Sequence, residues 1–352
     1  MPRINIVIAG IGAIGRRHVE LVMASNECRL LAVVDPLPAP AAYLSELNVP
    51  QHANLAELFA AHKPDGVILA TPNALHVEQA LQCIEAGVAV LVEKPVAHSV
   101  EQGLRLCERA EAVDAKVLVG HHRAHSPMLQ RARELIAEGQ LGDLVAVQGS
   151  ALFYKPDDYF DAAPWRREVG GGPILINLIH EIGNLRSLCG EIVAVQAMQS
   201  NHARGFAVED TVAIGLRFAN GALGTFLLSD SAASARSWEQ TSGENPDYAS
   251  YADEDCYVIS GTNGTLSVPT LRLKRYGQPA DRSWFKPFEC SVATAQRDDP
   301  LARQLAHFCA VIRSEVQPLV SVRDGLRNLL IVEAIAEAAR SGGVVQTGVW
   351  RG

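Results

Sequence analysis

The sequence predicts an α/β chain in two parts: a doubly wound, parallel-sheet domain, then an α+β domain on a large, mostly antiparallel or mixed sheet. Three observations carry this expectation. Short apolar runs alternate with helical stretches through residues 4–119, the pattern of a doubly wound domain. Beyond about residue 125 the apolar runs lengthen and hairpin signals separate them. The chain has 352 residues, which fits two domains, each large enough to bury its own core. The division is expected at 1–123 and 124–352, with the last helix able to pack back on the first domain.

In the first part, apolar run 4–9 ends in Gly10, 30–34 in Asp35, 67–70 in Thr71-Pro72, 88–92 in Glu93-Lys94-Pro95, and 117–119 in Gly120. Unbroken apolar strands of this length suit a parallel sheet covered on both faces. Helical stretches lie between them at 13–24, 55–61, 75–86 and 100–113. Right-handed crossovers then bring every strand's C-terminal end to one edge, where ligands bind. In the second part, helices are expected at 128–138 and 174–188, and strands at 144–154, 192–199, 211–218 and 223–229. Asn220-Gly221 and Thr262-Asn263-Gly264 read as hairpin turns. Residues 231–255 are polar and contain Gly, Asn and Pro, so a long loop is expected. Two helices, 300–313 and 323–340, close the chain, the second capped by Gly342-Gly343.

Composition narrows the function. Hydrophobic residues make up 48% and charged residues 20%, with a net charge of -8, which argues against a nucleic-acid or anionic-membrane surface. No apolar stretch reaches the roughly 18–20 residues that cross a bilayer. The first residues lead straight into a strand, so no signal peptide is expected. Seven scattered cysteines without a Cys-x-x-Cys pair argue against a disulfide framework or zinc knuckle, and reduced buried thiols fit a cytoplasmic protein.

Gly10-Ile11-Gly12-Ala13-Ile14-Gly15 follows a predicted strand and opens a predicted helix. In such a loop the first glycine permits the turn, the second admits a pyrophosphate to the backbone, and the third lets helix and strand pack closely. The helix N-terminus adds N–H groups and a partial positive charge. Asp35 ends the second strand, where an acid accepts the ribose hydroxyls. Together they predict a dinucleotide site. The same carboxylate repels a 2′-phosphate and Pro36 follows it, so NAD is expected; Arg16 and Arg17 keep NADP possible.

Glu93-Lys94-Pro95 lies at a strand end on the ligand edge. With the Gly10–Gly15 loop, Ala70-Thr71-Pro72-Asn73 with His76, Gly120-His121-His122-Arg123 with Pro127, Gly170-Gly171-Gly172 leading to His180, and Asp324-Gly325-Leu326, this chain resembles the Gfo/Idh/MocA oxidoreductases. That family includes inositol and glucose–fructose oxidoreductases. The resemblance spans nearly the whole chain and implies an N-terminal Rossmann domain. It also implies a catalytic lysine at the substrate hydroxyl, Lys94, and an assisting histidine, His180. Thr71, Pro72, Asn73, His76 and Glu93 are then expected along the cofactor, and Trp165-Arg166 at its nicotinamide end. A partly desolvated lysine beside a cationic nicotinamide has a lowered pKa, and histidine titrates near neutrality unperturbed. Two positions depart from the family. Ile176 stands where Asp or Asn is common, so Asn177, three residues before His180, is the candidate orienting group. Gly183 stands where an acid is common.

His122 and Arg123 match substrate-contacting positions, and Tyr154, with Tyr159, is a candidate polyol contact. The expected function is hydride transfer between NAD and a secondary alcohol or ketone of a sugar, inositol or related cyclic polyol. The alternatives are a dihydrodiol dehydrogenase and a non-catalytic NAD-binding sensor. No metal is expected: His121-x-x-x-His125 has helical metal spacing but falls at a strand end without a carboxylate cluster. Residues 223–228 do not alternate cleanly, and Ala213, Ile214, Leu216 and Phe218 are expected to put apolar groups on both sheet faces. A homodimer or homotetramer through that sheet follows, as in the family, unless loop 231–255 covers the face of a monomer.

Overall fold

A computed structural model of the chain describes residues 2–38, 43 and 47–348. Two compact units emerge, one formed by Met1–His125 with Pro300–Leu329 and the other by Ser126–Asp299 with Leu330–Gly352. This differs from the expected division at 123/124 chiefly in the late return of 300–329 to the first unit.

The first unit contains strands β1 (Ile4–Ala9), β2 (Cys28–Val34), β3 (Gln51–His52), β4 (Gly66–Leu69), β5 (Ala89–Glu93) and β6 (Val117–Gly120). They form one parallel sheet in the order β3-β2-β1-β4-β5-β6. Strand order reverses direction between β1 and β4, the point where doubly wound sheets bind ligands. β4, β5 and β6 are buried throughout, which is why they read as unbroken apolar runs. Helices Ala13–Ala24, Leu55–Ala61, His76–Glu85 and Val100–Ala112 connect the strands. Asn54 caps the second by accepting the Glu57 N–H at 2.9 Å, and Ser99 caps the fourth through the Gln102 N–H. Helix Pro300–Ile312 buries Leu305, Phe308 and Cys309 among Ile4, Ile6 and Ile68 of the sheet. A Cβ on Gly66 would lie 2.7 Å from Ile312, so the absent side chain is what admits this helix. The start of helix Val322–Ser341 packs equally closely: a Cβ on Gly325 would meet Val119 at 3.0 Å.

The second unit is built on β7 (Leu144–Leu152), β8 (Ile192–Ser200), β9 (Thr211–Phe218), β10 (Leu223–Ser229), β11 (Tyr257–Gly261), β12 (Gly264–Val268), β13 (Arg272–Arg275), β14 (Glu289–Val292) and β15 (Val344–Gln346). Their order is β14-β13-β12-β11-β7-β10-β9-β8-β15. β10 pairs with β7 in parallel, and the other described pairs are antiparallel. Helices Pro127–Ala137 and Ile179–Cys189 cover one face, where Leu129, Leu135, Ile182 and Leu185 meet Ile214, Leu216, Phe218 and Phe226.

Ile214, Leu216 and Phe218 share that inner face, because side chains two apart in a strand point the same way. Of the four residues expected to make both faces apolar, only Ala213 points outward. The outer face owes its apolar character instead to Met198, Leu223 and Leu227, all exposed. The expected helix 174–188 begins as a π-turn, Ile174–Leu178, before the α-helix Ile179–Cys189. Loop 231–255 is not merely a polar connection. It contains helix Trp238–Ser242, whose Trp238 is buried in the core and stacks on Tyr257 at 6.0 Å. The Trp238 indole donates to Glu244 at 3.1 Å, and Glu244 also accepts from the Ser126 hydroxyl. The cysteines are free; six are buried, and Cys290 is exposed on edge strand β14.

Trp238→Ala removes a fully buried indole and one of the donors to Glu244, so we expect a loss of about 3–5 kcal/mol, read as a lowered calorimetric melting temperature.

Candidate functional site

In the first unit the glycine loop is fixed by close backbone approaches. Gly10 has φ +87° and faces the Ala70 carbonyl so closely that a Cβ would lie 2.6 Å from its oxygen. A Cβ on Gly15 would lie 1.9 Å from the Gly10 oxygen, whereas one on Gly12 would meet nothing within 4 Å. Helix Ala13–Ala24 starts there without a side-chain cap, with Gly12, Ala13 and Ile14 exposed and Gly15 buried beneath them. This is the cradle a dinucleotide pyrophosphate fits. Asp35 braces it: Oδ2 accepts the Ile11 N–H at 2.9 Å and Oδ1 the Leu37 N–H at 3.0 Å. An ionised carboxylate has about four acceptor positions, leaving capacity for ribose hydroxyls. Arg16 donates to the Ile11 carbonyl and lies over Tyr43, and Arg17 pairs with Glu20 at 2.9 Å. Both have work within their own surroundings.

Further along the same edge, Pro72 and Asn73 open a 3-10 turn, Asn73–Leu75, and Thr71 donates to Gln79 at 2.6 Å. The His76 ring is buried between two carbonyls, Pro95 at 2.8 Å and Thr71 at 2.9 Å. Burial pushes its pKa down, against these carbonyls and the Glu93 charge. Glu93 is itself buried. Its Oε1 meets His18 Nε2 at 2.8 Å and its Oε2 accepts the Lys94 N–H at 3.1 Å. Burial opposes its ionisation, but the His18 hydrogen bond and the charges of His18, His122 and Lys94 hold the carboxyl below the usual range. Gly120 lies against it, since a Cβ there would sit 3.0 Å from the Glu93 Cα. Lys94 is half-buried at the end of β5 and precedes a cis peptide to Pro95. Burial, reinforced by Arg123 and opposed by Glu93, pushes its pKa below the ordinary 10.5. His122 and the buried Arg123 lie on the turn His122–His125. The structure thus gathers Glu93, Lys94, His122 and Arg123 in one polar knot and adds His18, which the sequence analysis missed. A helix position apolar in register but occupied by histidine was the available signal.

In the second unit, His180 is buried on helix Ile179–Cys189 and Asn177 occupies the π-turn before it. Ile176 lies on the same π-turn and Gly183 within the helix. The Oδ1 of Asn177, the expected orienting group for His180, accepts from Lys155 Nζ at 2.8 Å. Lys155 is only 8% exposed. It pairs with Asp230 at 3.3 Å and lies 4.9 Å from the Tyr159 ring centroid. Burial, opposed by Asp230, pulls its pKa down to about 8. Arg204 donates to Asp230 at 2.9 Å and to the Lys155 carbonyl at 2.8 Å. Tyr154 is exposed, its ring 5.1 Å from the Arg204 guanidinium, and Trp165 is exposed too. Arg166 stacks 3.7 Å from the Tyr159 centroid and donates to the Tyr159 carbonyl at 2.5 Å. The glycine triplet serves the same region. A Cβ on Gly172 would strike the Glu209 carboxylate, which accepts the Ile174 N–H at 2.9 Å. Sequence analysis missed Lys155, Arg204 and Asp230; a lone lysine between Tyr154 and Pro156 at a strand end was the only signal.

Among the described residues, no helix is long and apolar enough to cross a membrane. Residues 4–121 match the family described as an oxidoreductase family with an NAD-binding Rossmann fold, and residues 129–267 match the GFO/IDH/MocA C-terminal domain. The chain is 26% identical to 1,5-anhydro-D-fructose reductase of Ensifer adhaerens, over 96% of this chain and 92% of that one. It is 24% identical to inositol 2-dehydrogenase of Rhizobium meliloti, over 93% and 94%. The WlbA dehydrogenase of Bordetella pertussis, solved in complex with NADH and UDP-GlcNAcA, superposes with a TM-score of 0.77 at 24% identity. That alignment covers 99% of this chain and all of the other.

Gly12→Ala has room for its methyl and keeps the fold, yet the methyl enters the phosphate cradle; NADH affinity falls about tenfold or more by fluorescence titration. Gly15→Ala collides with backbone and lowers the melting temperature as well.

Proposed function

Because the chain belongs to the GFO/IDH/MocA family of oxidoreductases, with that family's NAD-binding Rossmann fold at its N-terminal side, we propose that it oxidises a secondary alcohol of a sugar, inositol or related cyclic polyol, or reduces the matching ketone. The observation that carries this reading is Lys94: a half-buried lysine with a lowered pKa at the strand-end edge that bears the glycine loop. The names of the reductase and inositol dehydrogenase relatives support the substrate class.

In this reading Gly10, Gly12, Ala13, Ile14 and Gly15 hold the pyrophosphate and Asp35 the adenosine ribose. Thr71, Pro72, Asn73, His76 and Glu93 line the same edge, and Trp165 with Arg166 reaches the nicotinamide end. Bound NAD supplies the hydride acceptor. Lys94 takes the alcohol proton as its neutral amine, a form favoured by burial and Arg123, while Glu93 keeps the ammonium accessible for return of the proton. His180 is the second titratable group, and Asn177, Tyr154, His122 and Arg123 contact substrate. Residues 1–123, with 300–329 packed back on them, then make the nucleotide domain, and the rest of 124–352 the substrate and oligomerisation domain.

The outer face of the nine-stranded sheet is the proposed oligomer interface. It carries exposed Met198, Leu223 and Leu227, and a shallow depression of about 360 Å³ there is lined by Met198, Leu227, Gln148, Gln196 and Thr225. An apolar patch of this kind marks an interface, and self-pairing makes a homodimer or homotetramer. The setting we propose is the cytoplasm, where six buried thiols and one exposed thiol stay reduced.

Absorbance at the reduced nicotinamide band, with NAD and NADP against sugars, inositols and dihydrodiols, tests the reaction; no signal with any polyol rejects it. Lys94→Ala lowers kcat by about a hundredfold or more at little cost in NADH affinity. For the wild type, the oxidation rate climbs with pH and levels off below the ordinary 10.5 of lysine, because only the neutral amine accepts the proton.

Asp35→Ser combined with Pro36→Arg shifts preference from NADH toward NADPH, and a wild type that binds NADPH more tightly contradicts the NAD assignment. Light scattering behind a sizing column reads the assembly: a mass near 37.8 kDa at micromolar protein rejects the oligomer.

A further inference from the structure

The polar cluster of the second unit offers donors almost everywhere. Lysine has three N–H donors and no acceptor, so the atom of Asn177 that it meets must be the amide oxygen. The Asn177 amide nitrogen therefore faces away from Lys155 as a donor. Lys155 commits two of its protons, to Asn177 and Asp230, and keeps a third. The acids nearby are turned to internal donors. Asp230 holds Arg204 and Lys155, Asp210 accepts the Arg204 and Thr211 donors, and Glu209 accepts the Ile174 N–H.

Arg166 differs from its neighbours. Arg167 pairs with Asp161 at 2.5 Å and Arg204 with Asp230 at 2.9 Å, whereas no carboxylate pairs with Arg166 among the described residues. Its bond goes to the Tyr159 carbonyl, and its Nε, like that of Arg167, is buried without a hydrogen-bond partner. The guanidinium is stacked 3.7 Å from the Tyr159 centroid, and Lys155 lies against the same ring. Stacking fixes the plane of the fork while leaving its edge to bind, the arrangement that suits a planar two-oxygen acceptor.

We propose that Lys155, Arg166 and Asn177 form a carboxylate subsite, so that the substrate is a hydroxylated acid, such as a sugar acid or cyclic hydroxy acid, and not a neutral polyol. The proposal rests on the hydride-transfer reading for the reaction and deepens it by naming the group that anchors the substrate. It gives Arg166 to the substrate rather than to the nicotinamide end. A neutral polyol would bring hydroxyl groups that both donate and accept, and this cluster has few acceptors left to receive the donated protons. A carboxylate brings acceptors alone.

The test is calorimetric titration of the full chain saturated with NADH. The probes are uronates and cyclic hydroxy acids, each paired with its neutral parent, and a sugar phosphate of the same ring. Wild type binds at least one acid about tenfold or more tightly than its neutral parent, as one charge-assisted bidentate contact provides. Arg166→Gln abolishes that preference. Lys155→Met weakens it too, and Lys155→Arg restores part of it; Arg166→Gln serves alone if the buried Lys155 variants fail to fold. Equal affinity for acid and parent overturns the proposal. So does binding of neither, preference for the phosphate, or an Arg166→Gln protein that keeps the preference and loses NADH. Failure of the dehydrogenase reading looks different: the acid preference persists in binding while no probe changes nicotinamide absorbance.

Discussion

Glu93 is a buried carboxylate, and the first unit is arranged around keeping it charged. Removing an ion from water costs several kcal/mol unless partners replace the lost solvation. His18 supplies one hydrogen bond from the helix that follows the glycine loop, the Lys94 backbone supplies another, and His122 and Lys94 add positive charge. These partners come from three separate segments. One side chain therefore ties the loop-bearing helix, the end of β5 and the turn after β6 into one edge. Gly120 follows from the same demand, because any side chain there would press on the Glu93 backbone.

Lys94 and Lys155 show the same physics in two settings. Each is lowered chiefly by burial and partly restored by one neighbouring carboxylate, Glu93 in one case and Asp230 in the other. Their surroundings separate their uses. Lys94 has an acid beside it in sequence and Arg123 as a competing cation. Lys155 is held by Asn177 and Asp230 and shares the Tyr159 ring with Arg166. The first arrangement suits a proton that leaves and returns; the second fixes the ammonium by two hydrogen-bonding partners, so that it carries charge at neutral pH and loses it as the pH rises past about 8.

Much of the first unit is legible in the sequence because its strands are buried on both faces and so are written as apolar runs. The glycine loop and Asp35 are legible because their chemistry depends on local backbone geometry. The second unit is less so. β13 and β14 are short, and Arg272–Arg275 with Glu289–Val292 carry little apolar signal; hydrogen bonds to a neighbouring strand define them more than burial does. β15 is three residues added to a sheet edge. β10 is apolar on both faces, as its broken alternation suggests, whereas on β9 Ile214, Leu216 and Phe218 all point inward, because an apolar run hides which alternate residues face the core. His18 and Lys155 escaped notice for another reason: each pairs with a carboxylate 75 residues away, and no local pattern announces such a pair.

The late return of residues 300–329 to the first unit has a consequence for how the chain is made. Leu305, Phe308 and Cys309 belong to the core of a sheet whose strands end at Gly120. Ile331, Val332 and Ile335 belong to the core of the other unit. Neither core is complete before residues beyond 300 have been made, although the parallel strands emerge early. Their apolar surface waits through the synthesis of a whole second unit, and chains that lengthen at about 5–20 residues per second leave it exposed for many seconds. One stretch, residues 305–338, thus contributes to the closure of two cores at once.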